Sequence, residues 1–308
     1  MKKKIYSDYP YKHVTWECTN VCNFSCSYCW PDAHSGTHRW PNEEKMSKLV
    51  NYLKNFSDNK IITLDIMGGE PTLWPHLEDF CNSVGSFCKV YFSTNGSRTA
   101  RYWNNFNAPL NELYFSFHPE QSDPEIFLKN VEITSKKYHV SVYILLHPLY
   151  RDICTDLYDK LYESDYPIRA VIKKIDGLPM KYSKKEIRYM VDAKFDRWQT
   201  RNDISFKVYR NGREIDLDKF TKFGHNRFKG WTCTFTQNYR YIKYDGTIYG
   251  AACRRAGQSP FGNVFEDEIK QEPITSVVCD RDFCNCKTDI IMAPKKIINK
   301  RFPNVRTL

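Results

Sequence analysis

Cys22-Asn-Phe-Ser-Cys26-Ser-Tyr-Cys29-Trp30 places three cysteines within eight residues of one another. Their thiolates can converge on one metal centre from a single loop. Iron–sulfur clusters are normally held by four cysteine thiolates, so three ligands leave one iron free to bind another molecule. By analogy with zinc, an open coordination position distinguishes a reacting metal site from a structural one.

A second motif follows a strand-like segment. Residues 61–66 (Ile-Ile-Thr-Leu-Asp-Ile) are typical of a buried strand, and they lead into Met67-Gly68-Gly69-Glu70-Pro71. Glycines at such a turn let the backbone approach a ligand closely. A structural zinc site would normally show paired C-x2-C units at longer separation. A disulfide framework is disfavoured because the chain is long and begins with no apolar signal-peptide region.

Together the two motifs resemble the radical S-adenosylmethionine (SAM) superfamily. Its members carry C-x3-C-x2-C after the first strand and a GGEP-like motif after the second, and the residue before the third cysteine is typically aromatic, here Tyr28. The resemblance implies a four-iron, four-sulfur cluster on Cys22, Cys26 and Cys29, with SAM bound to the remaining iron. It also implies reductive cleavage of SAM to methionine and a 5′-deoxyadenosyl radical, which abstracts a substrate hydrogen. A cluster used only as a scaffold is the alternative.

The resemblance also suggests which side chains lie beside SAM. Polar residues at strand ends often contact SAM in this family, and that role is carried to Ser116 at the end of the fourth predicted strand. The full set of expected cofactor contacts is Tyr28, Gly68, Gly69, Glu70, Pro71, Asn95 and Ser116. His118, which precedes a proline, is interpreted as a loop histidine. No catalytic acid, base or hydrogen donor is assigned.

Strand-like and helix-like patterns alternate through the first part of the chain. The predicted strands are His13–Glu17, 61–66, 89–93, 113–117, 140–146 and 168–175, and the predicted helices are 42–56, 75–87, 123–138, 153–163 and 183–195. Repeated βα units imply a parallel sheet whose ligand sites lie at the carboxyl ends of the strands. We therefore expect an α/β fold, a partial (β/α)6 TIM-like barrel of the radical SAM type.

The pattern changes near residue 183. Asn211-Gly212 and Asp245-Gly246 indicate two β-hairpins, the second predicted to run from residue 235 to 251. We expect residues 1–183 to form the radical SAM core. Residues 184–308 are expected to form a smaller hairpin and helix domain that ends in a basic tail.

A second group of cysteines lies in this C-terminal part. Cys233 and Cys253 bracket the second hairpin, and Cys279, Cys284 and Cys286 follow. The arrangement resembles the SPASM and twitch extensions of radical SAM enzymes and implies one auxiliary [4Fe-4S] cluster, held by four of these five cysteines. The spacing departs from the usual pattern, since six residues separate Gly246 from Cys253 instead of four. A zinc site is the alternative. Cys81, Cys88 and Cys154 are expected to be buried apolar side chains. For Cys18, four residues before Cys22, a role as hydrogen donor to a substrate radical is considered and disfavoured.

Composition limits the remaining choices. The net charge is +10, and Lys295, Lys296, Lys300 and Arg301 crowd the C-terminal tail. We expect that tail to be solvated and nucleic-acid binding to be absent, because no RNA-recognition motif accompanies the charges. No apolar run is long enough to span a membrane, and without a signal peptide a cytoplasmic location is expected.

The predicted function is oxidation or rearrangement of a small polar metabolite, with the auxiliary cluster as electron acceptor and a flavodoxin or ferredoxin as electron donor. The alternative is a peptide maturase that forms crosslinks or epimerises residues. Only about 12 residues precede the first predicted strand, which we take as too few for a leader-binding domain. From a different class, a non-catalytic iron–sulfur or RNA-binding protein is disfavoured by the intact GGEP motif.

Overall fold

The computed structural model describes residues 4–164, 168–175, 182–186, 206–235, 238–253, 260–266, 275–284 and 287–297. The chain divides into two compact parts. We call Trp16–Val50 with Thr63–Arg201 the α/β unit. We call Met1–Thr15, Asn51–Ile62 and Asn202–Leu308 the β unit. The boundary expected at residue 183 stays a prediction. The N-terminal residues and part of the first helix belong to the same unit as the C-terminal residues.

The α/β unit is built on strands that lie side by side in chain order. They are β2 (Lys12–Thr19), β3 (Ile62–Gly68), β4 (Cys88–Thr94), β5 (Glu112–Phe117), β6 (Val140–Leu146) and β7 (Ile168–Lys174). The pairs from β4 to β7 are parallel. The predicted α/β class with a parallel sheet is confirmed.

Helices connect these strands. They are α1 (Glu43–Ser57), α2 (Leu77–Val84), α3 (Ala100–Asn105), α4 (Pro124–Ser135) and α5 (Arg151–Glu163). Short 3-10 turns cover Pro31–His34, Pro71–Leu73 and Pro148–Tyr150. Helix α2 is shorter than the predicted 75–87, and α3 was not predicted. The predicted helix over 183–195 lies mostly outside the described residues.

Alternation along β5 separates the two faces of the sheet. Phe115 and Phe117 pack edge-to-face on Phe127 of α4, with ring centroids 5.7 and 5.1 Å apart. Tyr114 and Ser116, which alternate with them, point to the opposite face, where Tyr114 stacks between Tyr91 and Tyr143. One face of the strands therefore packs on helices, and the other carries polar side chains.

The β unit contains a six-stranded sheet in the order β13-β10-β14-β1-β8-β9. Its strands are β1 (Lys4–Ser7), β8 (Val208–Arg210), β9 (Arg213–Ile215), β10 (Thr232–Phe235), β13 (Thr275–Val278) and β14 (Lys295–Lys296). Every pair is antiparallel. The remaining elements are β11 (Tyr239–Ile242), β12 (Ile248–Tyr249), α6 (Leu217–Lys222) and α7 (Lys287–Met292).

The two predicted hairpins differ in outcome. Asn211 and Gly212 have φ values of 55° and 82°, so the type I′ turn between β8 and β9 is confirmed. The second prediction is wrong at its start. Phe235 ends β10 in the six-stranded sheet, and the hairpin strand β11 begins only at Tyr239. Among helices of the described residues, none combines the length and apolar character needed to cross a membrane.

Candidate functional site

The cysteine loop follows β2, and the GGEP segment at the end of β3 is joined to it through the backbone. Gly69 N–H donates to the carbonyl of Thr19 at 2.8 Å, and Glu70 N–H donates to that of Val21 at 2.8 Å. A Cβ on Gly69 would lie 2.1 Å from the carbonyl oxygen of Val21. Glycine is therefore required at position 69 by the contact between the two loops. Only a residue without a side chain fits there.

Glu70 is fully buried, and its carboxylate is used inside the protein. One oxygen accepts hydrogen bonds from the backbone and hydroxyl of Thr72 and from the hydroxyl of Thr94. The other accepts from Asn95 N–H at 2.6 Å. Burial raises the pKa of Glu70, and these hydrogen bonds oppose the increase. Glu70 thus joins the end of β3 to the end of β4 through both of its carboxylate oxygens.

Asn95 extends this connection to the first cysteine. Its side-chain amide donates to Asn23 Oδ1 at 3.0 Å and approaches Cys22 Sγ at 3.8 Å. Ser97 N–H donates to Asn95 Oδ1 at 3.0 Å. The predicted contact residue Asn95 therefore lies beside the cysteine loop, where it fixes Cys22 relative to β4.

His118, interpreted from sequence as a loop residue, lies next to the second cysteine. Its Nδ1 is 3.1 Å from the hydroxyl of Tyr28 and 3.6 Å from Cys26 Sγ. The rings of Tyr28 and His118 are nearly parallel, 6.0 Å apart. Burial lowers the pKa of His118 to about 4, so the ring is neutral at pH 7.

Glu120 and His147 complete the surroundings of the loop, and neither was singled out from sequence. Ser27 donates its N–H and its hydroxyl to the Glu120 carboxylate, at 2.7 and 2.5 Å. His147 Nε2 is 3.3 Å from the same carboxylate. Leu149 N–H donates to His147 Nδ1, so a neutral His147 ring carries its proton on the nitrogen that faces Glu120. Their position in the sequence could have indicated a role in the site. His118-Pro-Glu120 follows β5 and His147-Pro follows β6, and ligand sites lie at the carboxyl ends of such strands.

The three thiols are close enough to influence one another electrostatically. Burial raises the pKa of all three cysteines, and that of Cys26 rises to about 12. The charges of neighbouring cysteines raise the pKa of Cys22 and Cys26 further. A thiolate must form before it can bind metal, so a cationic iron–sulfur core would supply the charge that these buried sulfurs need. Within the described ranges, no three His, Cys, Asp or Glu side chains meet closely enough for a single metal ion. A four-iron cluster has ligand positions spread over a larger body. The donor set suits such a cluster.

The other predicted contact residues are Pro71, Ser116 and Gly68, and each has a defined place in the fold. Pro71 is buried and begins a 3-10 turn. Ser116 lies on the face of β5 that points away from Phe127, in register with Tyr143 of β6. Gly68 has a φ of 135°, and a Cβ there would lie 2.3 Å from the Thr19 carbonyl oxygen. These residues are brought to the same end of the sheet, and their contacts with a cofactor stay predictions.

Comparison with known proteins identifies the α/β unit. The profile of the radical SAM superfamily matches residues 16–162. Residues 16–162 are a radical SAM domain. For this superfamily a [4Fe-4S] cluster and SAM are implied, and the radical SAM domain carries the three-cysteine loop that would hold them.

Sequence relatives of the radical SAM domain include proteins named GTP 3′,8-cyclase. That of Psychromonas ingrahamii is 31% identical over 117 residues, covering 35% of this chain and 33% of the relative. That of Vibrio vulnificus is 32% identical over 119 residues, covering 35% and 34%. The chain thus spans about a third of the length of these curated relatives, so their activity is not transferred with the match.

Two solved structures share the fold. SuiB from Streptococcus suis, bound to precursor peptide SuiA, aligns with 84% of this chain and 63% of its own, at a TM-score of 0.56 and 14% identity. Native anSMEcpe with bound AdoMet aligns with 83% of this chain and 78% of its own, at a TM-score of 0.55 and 15% identity. At these identities the likeness concerns the fold alone.

The second group of cysteines lies in the β unit. Cys233 is on β10, Cys253 follows β12, and Cys279 follows β13. Burial raises the pKa of Cys233, and it raises the pKa of Cys253 to about 12. The charge of Cys279 raises the pKa of Cys233 further, and the charge of Cys233 does the same for Cys253. The backbone of Cys284 exchanges two hydrogen bonds with Asn226, and Cys286 lies outside the described residues. Cys233 therefore lies within electrostatic range of both Cys253 and Cys279.

Other cysteines are buried as expected. Cys81 and Cys154 are fully buried, and Cys88 is nearly so. Cys18 on β2 is also fully buried, and burial raises its pKa well above the usual value. This environment is that of a core side chain.

Proposed function

We propose that the protein is a radical SAM enzyme that binds a [4Fe-4S] cluster through Cys22, Cys26 and Cys29. The observation that carries the proposal is the joined pair of loops, in which Gly69 and Glu70 hydrogen-bond to the segment just before the cysteines. Reduced cluster with bound SAM would supply the 5′-deoxyadenosyl radical. This chemistry belongs to the cofactors, and the protein supplies position and shielding.

The chain's own residues would then have distinct tasks. The backbone of 68–71 would present polar groups to SAM, beside the Glu70 carboxylate that joins β3 to β4. Asn95 would hold the Cys22 side of the loop, and His118 with Tyr28 would place hydrogen-bond donors at Cys26 Sγ. Hydrogen bonds to cluster sulfurs are one of the factors that set reduction potential. Ser116 would contact SAM from β5.

Cleavage of SAM tests this proposal directly. Anaerobically reconstituted and chemically reduced protein should convert SAM to 5′-deoxyadenosine and methionine, slowly even without substrate. Cys26→Ala should abolish the reaction, whereas Cys88→Ala, which alters a buried cysteine outside the loop, should retain it. Equal cleavage by the Cys26→Ala variant would refute the assigned site.

We further propose one auxiliary [4Fe-4S] cluster in the β unit, held by Cys233, Cys253 and Cys279, with Cys284 or Cys286 as the fourth ligand. The support is the mutual influence of the buried thiols described above. Reconstituted protein should contain about eight irons, and the Cys22→Ala, Cys26→Ala, Cys29→Ala triple variant about four. A wild-type content of about four irons, with none in the triple variant, would eliminate the auxiliary cluster.

The proposed reaction is oxidation or rearrangement of a small polar metabolite, with a flavodoxin or ferredoxin as electron donor. Support comes from the relatives named GTP 3′,8-cyclase, whose name specifies a small polar substrate. Incubation of the reduced enzyme with an extract of small metabolites, followed by mass spectrometry, should show a product formed only with SAM. If the extract yields no such product and a genomically adjacent peptide is crosslinked or epimerised instead, the peptide-maturase function replaces this one.

A further inference from the structure

Lys295 is a buried cation in the β unit. From sequence it was assigned to a solvated basic tail, and that prediction is wrong. Its side chain is only 2% exposed, while the neighbouring Lys296 is exposed. The reason is strand alternation, because β14 lies in the middle of the six-stranded sheet and Lys295 points to the inner face.

The sheet register places Lys295 directly opposite Cys233. The two residues are Cα partners in the antiparallel pair β10 and β14. Side chains of directly opposed residues lie on the same face, with Cβ atoms about 4.5–5.5 Å apart. Lys295 therefore lies beside Cys233 on one face of the sheet, and its positive charge lowers the pKa of Cys233 against the larger effect of burial.

The anchoring of Lys295 involves the segment that also fixes Cys253. Its ammonium donates to the backbone carbonyls of Asp289 and Ala293, at 2.5 and 2.9 Å. The Asp289 carboxylate accepts hydrogen bonds from Ala252 N–H at 3.0 Å and from Cys253 N–H at 3.1 Å. One short segment thus orients the Lys295 ammonium and the Cys253 backbone together.

A buried ammonium needs compensating negative charge, and two carbonyl dipoles together with the Phe228 ring, whose centroid is 5.3 Å from Lys295 Nζ, supply part of it. Asp289 contributes a nearby carboxylate, which also accepts hydrogen bonds from the backbone of Ala252 and Cys253. A four-thiolate cluster is anionic overall, because the negative charge of the sulfur ligands exceeds the positive charge of the core. Such a centre is a suitable partner for Lys295.

We propose that Lys295 is the positioning residue that compensates the charge of the auxiliary cluster at Cys233 and Cys253 and raises its reduction potential. This inference rests on the proposed auxiliary cluster. A nearby positive charge stabilises the reduced, more negative state of a cluster, and net charge is among the factors that set cluster potentials. Lys295 would thereby favour transfer of an electron from substrate to the auxiliary cluster.

The test uses the reconstituted Cys22→Ala, Cys26→Ala, Cys29→Ala triple variant, in which only the auxiliary cluster can remain. Three substitutions are compared in this background. Lys295→Gln keeps hydrogen-bond donors but removes the charge, Lys295→Arg keeps the charge, and Lys296→Gln is the matched exposed control. The measurements are iron content and the midpoint potential followed by electron paramagnetic resonance.

We expect Lys295→Gln to lower the midpoint potential by at least about 59 mV, a tenfold change for a one-electron couple. Lys295→Arg and Lys296→Gln should stay close to the parent. Loss of iron in Lys295→Gln with retention in Lys295→Arg would also support the charge role. An unchanged potential in Lys295→Gln, or equal loss of iron in the Gln and Arg variants, would overturn it. Absence of iron from the parent triple variant would instead refute the auxiliary cluster itself.

Discussion

Glu120 holds the cysteine loop at the scale of single residues. Its carboxylate accepts two hydrogen bonds from Ser27, which lies between the second and third cysteines, and it faces His147. Both the hydroxyl and the backbone N–H of Ser27 donate to the Glu120 carboxylate, so the orientation of the loop depends on the Glu120 side chain. The cluster ligands on either side of Ser27 depend on that orientation.

Glu120→Gln is predicted to weaken cluster binding. The glutamine amide must direct N–H groups toward at least one existing donor, and a hydrogen bond to a charged acceptor contributes about 1.5–3 kcal/mol. We expect iron to be lost to a chelator roughly tenfold faster than from wild type. Glu125→Gln, at an exposed position of α4, is the matched control. Equal rates of iron loss in both variants would show that Glu120 does not hold the loop.

Asp65 gives a pH dependence that can be measured. Burial, and then the charge of Glu112, raise its pKa to about 7. The folded state therefore holds a proton that the unfolded chain releases near pH 4, so Asp65 reduces stability as pH rises from about 4 to 7. Each pKa unit corresponds to about 1.4 kcal/mol, and solvent screening makes the full shift an upper limit.

Asp65→Asn is predicted to stabilise the protein at pH 8 by about 1–3 kcal/mol, and to have little effect at pH 4. Urea denaturation at both pH values is the measurement, with the exposed Asp159→Asn on α5 as control. A stability difference that is the same at both pH values would mean that Asp65 does not titrate in this range.

At the scale of elements, helix α4 begins where the sequence indicates. Asp123-Pro124-Glu125 is a sequence typical of a helix start, and the Asp123 carboxylate accepts hydrogen bonds from Glu125 N–H and Ile126 N–H, each at 2.9 Å. Pro124 occupies the first helical position, where no N–H is needed. The cap thus fixes the start of the helix that packs on Phe115 and Phe117 of β5.

Asp123→Ala is predicted to lower the free energy of unfolding by about 0.5–2 kcal/mol, because two helix N–H groups lose their acceptor. Asp123→Ser, which restores a capping oxygen, should recover most of the loss. Guanidinium denaturation followed by circular dichroism distinguishes the two variants. If Ala and Ser destabilise equally, the cap contributes nothing beyond the local backbone.

The βα repeats were predictable from sequence, whereas much of the six-stranded sheet was not. Val140–Leu146 has its predicted bounds because a run of apolar residues at a strand position is a strong local signal. Strands β1 and β14 are four and two residues long, and they pair across nearly the whole chain. Lys295-Lys296 shows no alternation of apolar and polar residues, so the burial of Lys295 could not be predicted from the local sequence. Cys22, Cys26 and Cys29 were recognisable by spacing, but Glu120 and His147 reach the loop only through the fold.

At the scale of the whole molecule, Ile5 connects the start of the chain to the core of the β unit. It is fully buried and packs with Val208, Phe220, Phe228 and Ile290. Its strand pairs with β8 on one side and β14 on the other. The first strand is thus in the interior of a sheet made otherwise of C-terminal residues.

Ile5→Ala is predicted to destabilise the β unit by about 2–5 kcal/mol through loss of buried apolar contact and formation of a cavity. Hydrogen–deuterium exchange should become faster at the amides of β8 and β14. Ile126→Ala, at a side chain that is 54% exposed, should leave exchange in both strands unchanged. Unaltered exchange in Ile5→Ala would show that β1 is not needed to hold these strands.

The place of β1 also has a consequence for synthesis of the protein. Residues 4–7 leave the ribosome long before their partners β8 and β14, which begin at residues 208 and 295. At about 5–20 residues per second, this partly apolar strand of the nascent chain stays unpaired for on the order of 10–60 s. During that interval β1 is a free edge available to other chains. Efficient production should therefore depend on a ribosome-associated chaperone that covers β1 during this interval.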